Sequence, residues 1–346
     1  MTNRIKLLDE SEDQHHLSGW KCVRDSIKSL GQSSEVFKST SYASDQTSND
    51  PIYLVSFMSE FLINNSINKD KKFFGTLRQN NWVGIDHLVN NPGPYFKSMW
   101  PHQPHTSIDL MREYEKLGFL KNCKSLIFMS ESQRNHMSTF PPLSGIPLHG
   151  LLHPIIPNPT AKEFNPDSYF KHKKDVVQLG WSQRNHSFFE KLPLDKSRFN
   201  KSFMYGPITG LKWGCWKTQC VEEDLKFHNT ELTTEVLPRA EESECNLILS
   251  RSVVFLNLYD AIANNGILDC IERNTPIIVN RSASSEEYLG KDYPLFYESN
   301  NSYDEILKLF SDENILKGHK YLCNLNKSKL NIDIFIKSIK DIIQNI

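Results

Sequence analysis

Short apolar runs bounded by polar residues recur down this chain, and the stretches between them return their apolar residues every three or four positions. "PIYLVSFM" (51–58), "NWVGIDH" (81–87), "KSLIFMS" (124–130) and "IPLHGLLHP" (146–154) have the length and apolar content of buried strands. Between the second and third, "SIDLMREYEKLGFLKNC" (107–123) carries Ile108, Met111, Tyr114, Leu117 and Leu120 at helical spacing, and "ESQRNHMSTF" forms a further helix that ends before Pro141. Strands that are apolar throughout need cover on both faces, and the intervening helices supply it. The pattern therefore predicts a parallel α/β sheet.

The alternation pauses at "IIPNPTAKEFNPDSYFKHKKD" (155–175), which is polar, rich in proline and without a period. It resumes with "DVVQLGW" (175–181), "SFMYG" (202–206) and "VVFLNLYD" (253–260), the last preceded by a helical "RAEESECNLILSR". A chain of 346 residues exceeds the size at which one core stops growing. Two α/β domains are expected, 1–158 and 159–346, with the linker near 158–174. Three amphipathic helices over 303–310, 313–325 and 332–346 finish the chain, the last free to pack back on the N-terminal domain. Before residue 51 only "SGWKCVRDSIKSL" (18–30) has helical spacing, so one amphipathic helix is expected there.

The formal net charge of −1, with only short lysine clusters at 69–72 and 171–174, argues against a nucleic-acid partner bound through a run of phosphates. Compact anionic ligands remain. Seven cysteines without a CxxC pair point to a reduced, cytoplasmic setting in which they pack as small hydrophobes. No apolar leader and no run of 18 apolar residues is present, so neither a secretory signal nor a transmembrane segment is expected. His102 and His105 in "WPHQPH" lack a third ligand and read as a surface loop; no metal site is expected.

In an open parallel sheet ligands bind beyond the carboxyl ends of the strands. After "VVFLNLYD" the amides of Asn265, Gly266 and Ile267 would open a helix, offering unpaired donors and the positive end of its dipole to phosphate oxygens. Gly266 would admit a ligand close to the backbone, and Asp269, nearly one turn on, would accept from vicinal sugar hydroxyls. The alternative is that Asn264 or Asn265 is an ordinary N-cap and Asp269 a first-turn acid favoured by the dipole. Asp86-His87 at a strand end offers a base for an inverting reaction, or a structural histidine. His153-Pro154 shapes a turn. Lys212, in "MYGPITGLKW", reaches phosphate or is solvated. Ser284-Ser285 open a helix with acids in its first turn.

"ANNGILDCIERNTPIIVNRSASSEEYLG" resembles the C-terminal-domain segment of GT-B glycosyltransferases, in which a glycine-containing helix start, an acid, a Thr-Pro turn and a strand follow in order. In the retaining group a glutamate stands seven residues before the proline and contacts the donor's ribose; Asp269 stands seven before Pro276. "VVQLGWSQRN" is similar to the first strand and loop of the same domain, which makes Arg184 the candidate for the donor diphosphate. "WVGIDHLVNNPGPYF" and "CKSLIFMSESQRNHM" resemble the acceptor-side lobe. One departure stands out: the family's first glutamate, which contacts the transferring sugar, falls on Ala261. Either the adjacent Asp260 substitutes for it after a small shift, or Asn264 and Asn265 handle the sugar, or the chain belongs to a divergent branch.

The resemblance implies two Rossmann-like domains facing each other across a cleft and a metal-independent glycosyltransferase, a hexosyltransferase of glycan biosynthesis. A nucleotide-sugar serves as donor, a glycan or other hydroxyl as acceptor, and no cofactor is needed. Asp86, His87 and Asp260 are the catalytic candidates; Arg184, Lys212, Asn264, Asn265, Gly266, Ile267 and Asp269 the donor-binding ones. A non-catalytic nucleotide- or sugar-binding protein of the same fold is the alternative. A dinucleotide oxidoreductase is disfavoured, because no GxGxxG follows an early strand.

Overall fold

The structure is a computed structural model, and it describes residues 5–8, 36–37, 52–55, 58–59, 62, 71–99, 103–204, 210–237 and 242–346. The helix expected over 18–30 and His102 lie outside the described residues. The chain divides into two compact units, one of Met1–Asn90, His102–Ile156 and Ser328–Ile346, the other of Asn91–Pro101 and Pro157–Lys327.

In the first unit six strands, β1 (Ile5–Leu8), β2 (Val36–Phe37), β3 (Ile52–Val55), β4 (Trp82–Asp86), β5 (Cys123–Phe128) and β6 (Leu148–Gly150), form a sheet ordered β2-β1-β3-β4-β5-β6. Every pairing is parallel. Val55, Met58, Trp82, Leu110, Tyr114, Phe119 and Phe128 build its core. The Tyr114 hydroxyl donates to Met58 O (3.0 Å) and Trp82 Nε1 to Phe119 O (3.0 Å), so these large rings bury no unpaired polar atom. The last helix, Ile332–Gln344, belongs to this unit, and Ile155 N donates to Leu330 O (2.8 Å) just before it.

The second unit holds β7 (Lys174–Leu179), β8 (Phe199–Met204), β9 (Glu235–Val236), β10 (Ser252–Leu256), β11 (Ile277–Asn280) and β12 (Phe296–Tyr297). They form an all-parallel sheet ordered β12-β11-β10-β7-β8-β9. Numbered from β7 and read from the β9 edge this is 3-2-1-4-5-6, the dinucleotide-fold order, and the winding reverses between β7 and β10. Phe189 and Phe203 meet edge to face (5.1 Å), and Phe255 stacks on Tyr297 (5.6 Å), filling the layer under the helix His186–Lys191.

Several element ends depart from the sequence expectation for local reasons. The helix expected over 107–123 is Ser107–Lys116, capped by Thr106, because Gly118 turns the chain at φ 75°. The run 146–154 contributes only Leu148–Gly150 to the sheet, lying between Pro147 and Pro154, which donate nothing to a ladder. The proline-rich stretch near 158–174 contains a helix, Pro166–Lys171, with Asn165 as cap and proline in its first turn. Ser282, not Ser284 or Ser285, caps Ala283–Leu289, and Ser285 returns the bond to complete the capping box. The two-residue strands β2, β9 and β12 carry no period to read, and β1 and β2 lie in a stretch expected to hold one helix.

Candidate functional site

The reversal of winding sets the carboxyl ends of β7 and β10 side by side, so the loops after them, 180–185 and 257–264, form one surface. Arg184 bridges Leu258 in antiparallel fashion, Asn185 N donates to Asn257 O (2.8 Å) and Tyr259 N to Gln183 O (3.1 Å). Gln183 (φ 60°) and Ala263 (φ 50°) hold left-handed backbone without being glycine, at a cost on the order of 1 kcal/mol each. Such conformations persist only where neighbours enforce them.

Two helix N-termini open on this surface, and their states differ. That of His186–Lys191 is filled. Asp224, fully buried on the helix Gly210–Phe227, accepts from the amides of His186 (2.7 Å) and Ser187 (3.3 Å), and Asn185 caps Phe188 N (2.9 Å). The other belongs to Asn265–Arg273, ended by Asn274 in αL. Its N-cap is Asn264, whose Oδ1 accepts from Ile267 N (3.2 Å). Ile267's amide is therefore spent on the cap, while the amides of Asn265 and Gly266 make no hydrogen bond among the described residues. Asn265 is exposed, and Asn264 and Gly266 are buried.

Arg184 lies directly behind that terminus. It is 7% exposed, and it donates through Nε to Leu179 O (2.9 Å), through Nη1 to Ser182 O and through Nη2 to Asn264 Oδ1 (3.2 Å). A Cβ on Gly266 would stand 2.9 Å from Nη2, and one on Gly180 2.8 Å from it, so a side chain at either position would have to displace the guanidinium. The close approach at Gly266 is that of Arg184. Burial lowers the guanidinium pKa to about 10, which leaves it charged at neutral pH. Arg184 thus adds positive field behind the free amides and spends three of its donors internally.

Asp269, one turn further, keeps 43% of its side-chain surface open and pairs with Arg273 Nη1 (3.2 Å). Surrounding protein pushes its carboxyl up to about 6, and water at the open surface works against that shift. Asp260 is engaged on both oxygens: Asn91 N (3.2 Å) on Oδ2, and Ile262 N (3.1 Å) and Ser284 Oγ (3.4 Å) on Oδ1. Lys212 falls in the helix Gly210–Phe227, and its side chain lies outside the described residues.

In the first unit, Asp86 is fully buried at the end of β4. Its Oδ1 accepts from Leu88 N (2.9 Å), and burial raises its pKa to about 6. A carboxyl without exposed surface cannot itself reach an acceptor hydroxyl. His87 is half-buried; desolvation and the nearby His153 hold its imidazole well below the ordinary histidine range, hence neutral. His153 is buried, with Nδ1 3.0 Å from Pro154 O, and burial takes it down to about 4. Among the described residues no group of three or more His, Cys, Asp or Glu is placed to hold a metal ion, and no helix is long and apolar enough to cross a membrane.

Sequence reasoning overlooked three participants. Asp224 carries no local signal, because the amide it fills, that of His186, lies 38 positions earlier in the chain. Tyr259 donates its hydroxyl to Asp224 Oδ1 (2.7 Å) and meets His228 Nε2 (2.8 Å) beneath the second loop. The segment Asn91–Met99, read as part of the N-terminal lobe, groups with the second unit.

Two α/β units, each built on a six-stranded all-parallel sheet, make this the GT-B fold, and comparison with solved structures bears this out. The lipopolysaccharide outer core galactosyltransferase WaaB superposes with a TM-score of 0.57 at 10% identity, over 99% of each chain. A UDP-forming α,α-trehalose-phosphate synthase from Burkholderia xenovorans gives 0.55 at 12% identity, over 97% of this chain and 80% of that one. The E. coli trehalose-6-phosphate structure bound with UDP-2-fluoro glucose gives 0.53 at 11% identity, over 85% and 73%. No protein-family model and no curated protein sequence matches the chain.

Proposed function

We propose that this protein is a glycosyltransferase that moves a sugar, most simply a hexosyl group, from a nucleotide-sugar to an acceptor hydroxyl on a glycan. The observation that carries the proposal is the open start of Asn265–Arg273 at the point where the winding of the second sheet reverses. Two unbonded amides, a helix dipole and the Arg184 charge behind them suit a diphosphate. The competing N-terminus is plugged by Asp224, which disfavours a dinucleotide held at the first helix of the sheet. Asp269, open and one turn on, is suited to accept from vicinal ribose hydroxyls.

On this reading the leaving diphosphate is neutralised by backbone dipoles and Arg184, without a metal or other cofactor. His87, neutral and of depressed basicity, orients an acceptor hydroxyl more readily than it removes a proton, in keeping with a retaining course. Asp86 acts only through its neighbours. The reduced cysteines fit a cytoplasmic setting.

One observation favours the second reading, a non-catalytic nucleotide or sugar binder. Asp260, beside the position of the family's sugar-contacting glutamate, has both oxygens occupied within the protein. The test is calorimetry with nucleoside diphosphates followed by donor-hydrolysis and transfer assays over a panel of nucleotide-sugars. Binding with turnover supports the transferase; tight binding without turnover on any donor supports the binder; no nucleotide binding sinks the transferase and the nucleotide binder, and leaves only a sugar binder.

A further inference from the structure

The segment Asn91–Tyr95, "NPGPY", follows β4 of the first sheet in sequence yet is bonded to the loops of the second sheet. Pro92 and Pro94 have no N–H, so Asn91 and Gly93 supply the donors of this stretch. Both are used on the nucleotide surface: Asn91 N donates to Asp260 Oδ2 (3.2 Å) and Gly93 N to Gln183 Oε1 (3.2 Å). Asn91 Nδ2 adds a bond to Tyr259 O (3.2 Å), and the Tyr95 hydroxyl reaches Trp181 O (3.5 Å).

Apolar contact closes the same junction. Tyr95 is 1% exposed and its ring lies edge-on to Tyr259 at 6.4 Å. A Cβ on Gly93 would stand 2.7 Å from the Tyr95 ring and 2.9 Å from the Tyr259 ring, so only glycine lets the strap lie this close. Tyr259 is thereby held at its carbonyl by Asn91, at its amide by Gln183, at its ring by Tyr95 and at its hydroxyl by Asp224. Five residues after Tyr259 comes Asn264, the cap that aims the Asn265 and Gly266 amides.

We infer that Asn91, Gly93 and Tyr95 are positioning residues of the nucleotide site, fixing the loop Tyr259–Asn264 and through it the two unbonded amides; the inference rests on the nucleotide reading above. It also gives Asp260 a role of its own. The acid beside the vacant glutamate position anchors the strap, and sugar contact is left to other side chains.

Hydrogen exchange reads this directly, because the Asn91 and Gly93 amides are themselves the strap's bonds. The full-length protein is compared with Gln183→Asn, which keeps a side chain tolerant of left-handed backbone while withdrawing the acceptor, and with Asp260→Asn, Tyr95→Phe and Tyr95→Ala. UDP is the probe, with urea unfolding measured alongside. UDP is expected to slow exchange over 91–96 in the wild type. Gln183→Asn and Tyr95→Ala are expected to speed that exchange and weaken UDP by about fivefold or more, the scale of one hydrogen bond, and Tyr95→Phe to stay within about twofold of wild type. Faster strap exchange with unchanged UDP affinity overturns the positioning role and leaves a purely structural strap. Unaltered exchange in Gln183→Asn and Asp260→Asn overturns the attachment itself. If the wild type binds no UDP while the variants still loosen the strap, the nucleotide reading fails and the positioning role with it, but the attachment stands.

Discussion

Replacing Asp269 by alanine separates a ligand contact from a structural one. The carboxylate's partner inside the protein is Arg273, whose Nη1 also meets Glu272 Oε2 (3.0 Å) and whose Nη2 holds Asn246 Oδ1 (2.6 Å). Arg273 therefore keeps an anion and an amide when Asp269 is lost. A pair with one member 43% open is worth no more than about 1 kcal/mol, and alanine's helix propensity returns roughly 0.5 kcal/mol. Unfolding free energy in urea should change by less than about 1 kcal/mol. Nucleotide affinity should fall further, by about 1.5–3 kcal/mol or roughly 10- to 150-fold, because hydrogen bonds to an ionised group disappear. Calorimetry with UDP at neutral pH measures it. Surrounding protein raises the carboxyl pKa, so wild-type affinity should decline as pH falls below neutral, since the protonated form accepts less well; Asp269→Asn should show a shallower decline, the remainder coming from protonation of the UDP phosphate itself. Unchanged affinity in a variant of wild-type stability would refute the ribose assignment.

Four further outcomes are expected. Asp224→Ala strips the acceptor from the amides of His186 and Ser187 and from the Tyr259 hydroxyl, and should cost about 3–5 kcal/mol in urea unfolding; a loss below about 1 kcal/mol would mean the network is dispensable. Gly266→Ala drives a methyl against Arg184 and should cost about 1–3 kcal/mol together with nucleotide affinity, so wild-type behaviour in both measurements would contradict the packing. His153, titrating near 4 in the folded state, gives stability that is complete above about 6.5 and lost towards pH 4, about 3 kcal/mol in all. Asp86, near 6, works in the opposite sense between roughly 4 and 6, so Asp86→Asn should make the acid loss steeper in urea midpoints taken at pH 7 and 4.5.

The α/β class, the parallel strands and most helix positions were legible because they depend on short continuous apolar runs and on a period of about 3.6 within a few residues. Pairs such as Val176 and Val177 in β7, apolar on both faces, state that the strand is covered on both sides. The helix after β10 was legible too, from Asn264 at its start to the Asn274-Thr275-Pro276 stop. Sequence alone left open which asparagine caps that helix, and Asn264 does so in the structure.

What each candidate touches was decided only in three dimensions. Gly266 reads as room for a ligand, yet the atom at that spot is an Arg184 nitrogen that arrives from 82 positions earlier in the chain. Asp260 reads as a substitute for a missing glutamate, and its oxygens receive the amides of Asn91 and Ile262. Asp224, which determines which helix start stays open, has no motif at all. Local propensity acts through neighbours in sequence, so the chain by itself determines its elements and their order. Hydrogen bonds and charge act through space, so the availability of an amide or carboxylate is settled only when distant segments such as Asn91–Tyr95 have packed against it.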